Sequence, residues 1–141
     1  MVTAPHYTAQ TKARKAALDI LFQAELRGDS LAETFAEQRS LSGVVTRELT
    51  TRIVLGVAEH LRDIDRRISA CTSDGWPLER MPAVDRNLAR IAIYELDYSD
   101  VPPPAVISEA VRLAGDLSTD ESPAFLNGLL STALAAKPTT N

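Results

Sequence analysis

From Val84 to Leu134 the chain alternates helix-periodic apolar stretches with sharply marked joints, and this pattern limits the fold more than any other feature of the sequence. Val84, Leu88, Ile91 and Ala92 recur at steps of three and four. Val106, Ala110, Leu113, Ala114 and Leu117 do the same once Pro102-Pro103-Pro104, which bar entry into a helix until about Ala105, are passed, and Leu126, Leu129, Leu130 and Ala133 repeat it after Ser122-Pro123, an expected N-cap and N1 pair. Three consecutive helices are expected. Leu, Ala, Val and Ile supply most of the 45% hydrophobic content while aromatics reach only 5%, a mixture that favours helix packing over a β-sandwich. The predicted class is all-α, a compact helical bundle of two packed subbundles with about six to seven helices.

The first half fits the same class. A helix is predicted from about Thr8 to Arg27, with Ala13, Ala16, Ala17, Ile20, Leu21 and Ala24 on one face and Gly28 as its stop. Leu18, Phe22 and Leu26 fall on the opposite side and give this helix a second apolar stripe, either covered by its own chain or offered to a partner with Phe22 as anchor. Ser30 is the expected N-cap of a short helix carrying Leu31 and Phe35, followed by a loop at Ser40 to Gly43. A long helix from about Val44 to Cys71 carries one stripe through Val45, Leu49, Ile53, Val57, Leu61, Ile64 and Ile68. Asp74-Gly75 ends it, and Trp76 and Leu78 are expected to pack over the joint. One domain over 1–141 results, with an N-terminal subbundle at about 8–73 and a C-terminal one at about 76–136. The tail after Ala136 is expected to fray.

Catalysis finds little material here. Cys71 stands alone and only His6 and His60 accompany it, so neither a disulfide nor the usual four-ligand zinc arrangement can be assembled. The six glycines are isolated, which leaves no phosphate-cradling loop or dinucleotide fingerprint, and no Gly-x-Ser-x-Gly elbow occurs. No enzyme, metal or cofactor is expected. Met1 to Gln10 contain no apolar signal core and no segment approaches the roughly 20 apolar residues of a membrane span, so a cytoplasmic protein is expected.

Charge carries the functional signal. The net value of −4 argues against a protein that coats nucleic acid through bulk positive charge. Met1 to Leu18, however, hold Lys12, Arg14 and Lys15 and no acid, while Asp116, Asp120 and Glu121 gather far along the chain. Cations at a helix start oppose the macrodipole, so they suit phosphate binding better than they suit the helix. Phe125 lies at the edge of the last helix's apolar arc, where it either joins the core or stacks on a base, and Asn127 either reads a base edge or braces a loop. His60, without a second ligand at metal spacing, is read as a structural or surface histidine. Gly128 falls outside the inner arc, where it can admit another backbone or a ligand. Glu95 shares the inner sector with Val84, Leu88 and Ile91, so its carboxylate needs a partner, either an arginine or the free amides of the following helix.

Several of these segments together resemble the NusB family of transcription antitermination factors. The likeness runs through Val84-Asp85-Arg86-Asn87-Leu88-Ala89-Arg90-Ile91-Ala92-Ile93-Tyr94-Glu95-Leu96, Asp100-Val101-Pro102, Ser108-Glu109-Ala110-Val111-Arg112-Leu113-Ala114 and Phe125-Leu126-Asn127-Gly128-Leu129-Leu130. Ala13-Arg14-Lys15-Ala16-Ala17 with Leu21-Phe22 resembles the family's basic first helix. The resemblance implies a non-enzymatic protein that binds boxA RNA of ribosomal RNA leader transcripts together with the ribosomal protein NusE, and joins RNA polymerase with other Nus factors. It implies that Lys12, Arg14, Lys15, Glu121 and Phe125 face RNA, and that Phe22 and Asp85 face the protein partner. Where many members carry a denser arginine run, this chain has Gln10-Thr11-Lys12, and Glu121 stands where Asp is common. Two alternatives accompany this reading: the NusB-like front module of a ribosomal-RNA cytosine methyltransferase, and a homodimer or scaffold that self-associates through the Phe22 face.

Overall fold

In a computed structural model the protein is described over residues 7–42, 47–72 and 77–136, and all regular structure among these residues is helical. Six α-helices follow one another: α1 (Ala9–Arg27), α2 (Leu31–Ser42), α3 (Glu48–Cys71), α4 (Ala83–Tyr98), α5 (Pro103–Leu117) and α6 (Ser122–Ala135), with a single 3-10 turn at Leu78–Arg80 before α4. The expected features at Gly43 to Val45, Asp74-Gly75-Trp76 and the tail from Lys137 lie outside the described residues.

Local chemistry explains most helix boundaries. The Thr8 hydroxyl accepts the Thr11 amide proton at 3.2 Å and opens α1. Gly28, at φ 72°, closes it in the left-handed conformation, which glycine adopts without a Cβ penalty, while the Asp29 amide reaches back to the Ala24 carbonyl. Ser30 caps α2 through the Glu33 amide at 3.1 Å. The α2 helix then runs on to Ser42, so Ser40 to Ser42 are helical where a loop is predicted. Three further boundaries or shapes depart from the sequence expectation. The α5 helix starts at Pro103, two residues before the predicted Ala105, because a first-turn proline gives up only an amide that has no helical partner anyway. Ser122 is already inside α6 and Glu121 occupies the N-cap position. The α3 helix keeps its apolar stripe but breaks helical geometry at His60 (φ −111°, ψ 18°), where the imidazole stacks on Tyr98 with centroids 3.8 Å apart.

The α4 helix is the axis of the assembly and packs against α1, α3, α5 and α6. Leu88 to Leu96 are buried on nearly every side except at Arg90, and one apolar core joins them to Leu18, Ile53, Val57, Ile64, Leu113, Leu126 and Leu130. Gly56 lets the Tyr94 ring of α4 seat against α3, since a Cβ there would strike it. Ion pairs bracket this core. Arg67 of α3 donates to both Asp97 oxygens at 2.9 Å and to the Ala133 carbonyl at 3.1 Å, so one guanidinium ties α3 to α4 and satisfies a last-turn carbonyl of α6. Arg86 donates to both Glu25 oxygens at 2.6 and 2.8 Å and also holds the Leu78 and Met81 carbonyls, which fixes the joint before α4.

The Glu25 carboxyl titrates below its usual range, first because of the Arg86 hydrogen bonds and then because of the charges of Arg86 and Arg90, against the opposing effect of burial. Its contribution to stability is therefore complete above the ordinary glutamate value and disappears as pH falls through the lower folded value. In urea melts the stability gap between wild type and Glu25→Gln should shrink toward zero as pH drops from about 6 to about 3. A gap that stays constant over that interval contradicts this role.

Candidate nucleic-acid interface

The start of α1 separates the predicted basic cluster into two kinds of residue. Lys12 is exposed, and Lys15 is half-buried with its ammonium 3.1 Å from Asp19 one turn on, a surface pair of little energetic weight. Arg14 faces the other way. It is 6% exposed and donates through Nε and a terminal nitrogen to both oxygens of Glu95, at 2.7 and 2.8 Å, and Glu95 is itself 2% exposed. The expectation that Arg14 meets RNA phosphate is therefore corrected: helical phase carries it inward, and its donors are spent on the buried Glu95 carboxylate. The pair answers the question of Glu95's partner in favour of an arginine. Bonding to Glu95 raises the Arg14 guanidinium's pKa against the opposing effect of burial.

A second carboxylate extends this contact to α5. Glu109 lies 3.9 Å from Arg14 and accepts the Thr11 hydroxyl, which sits 2.9 Å from both of its oxygens. The first turn of α1 is thereby fixed against α4 and α5 together, and Lys12 and Lys15 project from a rigid base. Beside them, the Arg112 guanidinium covers the Tyr7 ring at 5.1 Å from its centroid, and the Tyr7 hydroxyl donates to Asp116 at 2.8 Å. Burial, then the Asp116 bond, pushes the Tyr7 phenol upward, so it remains a donor at neutral pH. Tyr7 and Arg112 are absent from the sequence-derived set because they are separated along the chain and have no shared periodicity. The only local signal was Arg112 and Asp116 at helical i,i+4 spacing.

At the start of α6, Phe125 is half-buried against the core and lines a hollow of about 200 Å³ with Met81, Pro82, Thr119 and the exposed Glu121. Asp85 forms the floor of this hollow. It is 3% exposed and accepts from the Ser118 hydroxyl at 2.6 Å and the Ser122 hydroxyl at 2.8 Å, at the positive end of α6. The placement of Asp85 on a partner-facing surface is thus corrected as well: its carboxylate braces the α5–α6 turn. Phe22, by contrast, is 38% exposed and Leu26 76% exposed, so the outer stripe of α1 is open beyond Leu18.

Among the described residues no group of His, Cys, Asp and Glu side chains could hold a metal ion, and no helix is long and apolar enough to cross a membrane. Fold and surface together define a helical binding module with a cationic end and an apolar stripe on the same first helix. The chain belongs to the NusB family, whose model matches residues 11–135. It is 46% identical over 132 residues to a Transcription antitermination protein NusB of a Nocardioides species, covering 93% of this chain and 97% of that one. It is 48% identical over 132 residues to the protein of the same name from Acidothermus cellulolyticus, covering 93% and 90%. In three dimensions it resembles T. maritima NusB with a TM-score of 0.80 at 32% identity, covering 93% of this chain and 94% of that one. It also resembles a chain in the crystal structure of antitermination factors NusB and NusE in complex with dsRNA, with a TM-score of 0.76 at 26% identity over 90% and 96% of the two chains. Members of this family are non-enzymatic factors, and this chain is one of them.

Breaking the buried pair should cost more than any surface change. Arg14→Ala leaves the Glu95 carboxylate uncompensated and should lower the unfolding free energy by about 3–5 kcal/mol in urea melts. The double variant Arg14→Met with Glu95→Leu should recover most of that loss. If Arg14→Ala melts like wild type, the pair is not structural.

Proposed function

We propose that this protein is a transcription antitermination factor that binds boxA RNA of ribosomal RNA leader transcripts together with the ribosomal protein NusE and joins RNA polymerase with other Nus factors in the cytoplasm. It acts as one domain over 1–141, with subbundles at about 8–73 and 76–136. The observation that carries the reading is the likeness over most of the chain to a NusB bound with NusE and RNA, combined with the exposed Lys12 and half-buried Lys15 held on a fixed helix start.

In this reading Lys12 and Lys15 meet the phosphate backbone, and Phe125 with Glu121 flanks the RNA at the start of α6. Arg14 contributes indirectly by holding the lysines in place. Phe22, extended by Leu26, is the anchor for NusE, since an exposed aromatic beside an exposed leucine on a regular helix suits a partner's pocket.

Replacing Lys12 and Lys15 together with alanine should weaken boxA binding and reduce the slope of log affinity against log salt by about 1.4, two released counterions at about 0.7 each for a single strand. Fluorescence titration of labelled boxA RNA at several salt concentrations measures both, and an unchanged affinity and slope would refute the assignment.

Phe22→Asp should lose at least about 30-fold in NusE affinity by calorimetry, the loss typical of a hot-spot residue, with the helical circular dichroism retained. Full NusE affinity in a folded variant would remove Phe22 from the interface.

A further inference from the structure

The first turn of α1 has little local chemistry to hold it. Thr8 caps it through the Thr11 amide, but no acidic residue stands in that turn, and Lys12 follows where the free amides already carry positive charge. Helix ends of this kind fray readily.

The α5 helix supplies what the local sequence lacks. Glu109, Arg112 and Asp116 are spaced three and four residues apart, which sets them on one side of α5. Glu109 accepts the Thr11 hydroxyl, and that hydroxyl lies 3.0 Å from the Thr8 hydroxyl, so the cap itself is tied to α5. Further along α5, the Arg112 guanidinium covers the Tyr7 ring at 5.1 Å from its centroid, and Asp116 accepts the Tyr7 phenol at 2.8 Å. Tyr7 is the residue just before the cap, so the chain entering α1 is gripped on both sides of Thr8.

Asp116 is not explained by its own helix. It stands in the last turn of α5, where an acid opposes the macrodipole. Nor does contact with RNA explain it, because a carboxylate near phosphate-binding lysines repels a polyanion. Its bond to Tyr7 gives it a purpose.

We propose that Tyr7 is a positioning residue for RNA: gripped by Arg112 and Asp116, it keeps the first turn of α1 formed so that Lys12 and Lys15 are in place to meet phosphate. This inference rests on the RNA reading above. Affinity falls in proportion to the fraction of molecules in which the binding geometry is already formed, so Tyr7 acts without touching the strand. An acidic residue thereby strengthens the binding of an anion.

The test uses the full chain with NusE and labelled boxA RNA. Tyr7→Phe keeps the ring and loses the bond to Asp116, and it should weaken RNA binding about fivefold, as when about one molecule in five keeps the turn formed. Asp116→Ala should weaken binding by a similar factor although it removes a negative charge. That change relieves the end of α5, so its thermal midpoint should not fall. The two losses should not add in the double variant. With Lys12 and Lys15 already replaced by alanine, Tyr7→Phe should cost nothing more, a coupling that a merely structural tyrosine would not show. A further loss in that background overturns the inference. So does tighter RNA binding by Asp116→Ala, since the acid then only repels RNA. Wild-type affinity in Tyr7→Phe with a loss in Tyr7→Ala makes the ring a direct RNA contact and overturns it too. If the lysine double variant loses affinity while Tyr7→Phe and Asp116→Ala bind as wild type, the RNA reading stands and the role of Tyr7 falls. Wild type that takes up no RNA even with NusE overturns both.

Discussion

The ion pair between Arg14 and Glu95 sets the geometry on which the rest of the molecule depends. A carboxylate at 2% exposure in the central helix is unfavourable alone, and a bidentate guanidinium compensates it in only one placement of α1. That placement fixes the helical phase of the first helix. Arg14 points inward, Lys12 and Lys15 turn toward solvent, and Phe22 and Leu26 emerge on the outer stripe two to three turns later. Glu109 and Thr11 repeat the lock at the boundary with α5. A single buried interaction thus orients two chemically different surfaces of one helix.

The other polar contacts extend the same logic to the remaining helices. Arg86 with Glu25, Arg90 with Asp65 and Arg67 with Asp97 each join α4 to α1 or α3 through paired hydrogen bonds. Asp85 reaches from the start of α4 to the serines of the α5–α6 turn. Among the described residues no buried side-chain nitrogen or oxygen lacks a partner. Bidentate and charge-assisted bonds are directional, so they select one arrangement of helices whose apolar faces alone would tolerate several. The central helix is amphipathic in an unusual sense: buried nearly all round, it carries its polar groups near its ends, at Arg90 and at Glu95, each matched by a neighbour.

How much of this was legible in the sequence depends on the range of the interaction. Gly28, Ser30 and Thr8 act on amides a few residues away, and their chemistry marks helix ends without reference to the fold. The burial of Glu95 also followed from its angular position among Val84, Leu88 and Ile91. Its partner did not, because Arg14 lies 81 positions away and reads equally well as part of a basic patch. Asp85 presented the same difficulty: an acid in a helix's first turn is favourable in solvent, and only the return of α6 shows that serine hydroxyls claim it. The prolines before α5 misled in a different way. Three in a row look like a barrier, yet two of them fit the first turn, where no amide is needed.

Helical periodicity, a chain with little reactive chemistry and a cluster of cations at the start of the first helix were written in the sequence, since each depends on residues within a turn or two of one another. Tertiary structure alone decided which of those cations remain free to meet a ligand, which acids are spent on the scaffold, and that Tyr7 and Arg112 join the cationic end. The physical reason is that a charge has the same local signature whether it faces water or a buried partner, and only the packing of distant helices determines which of the two it meets.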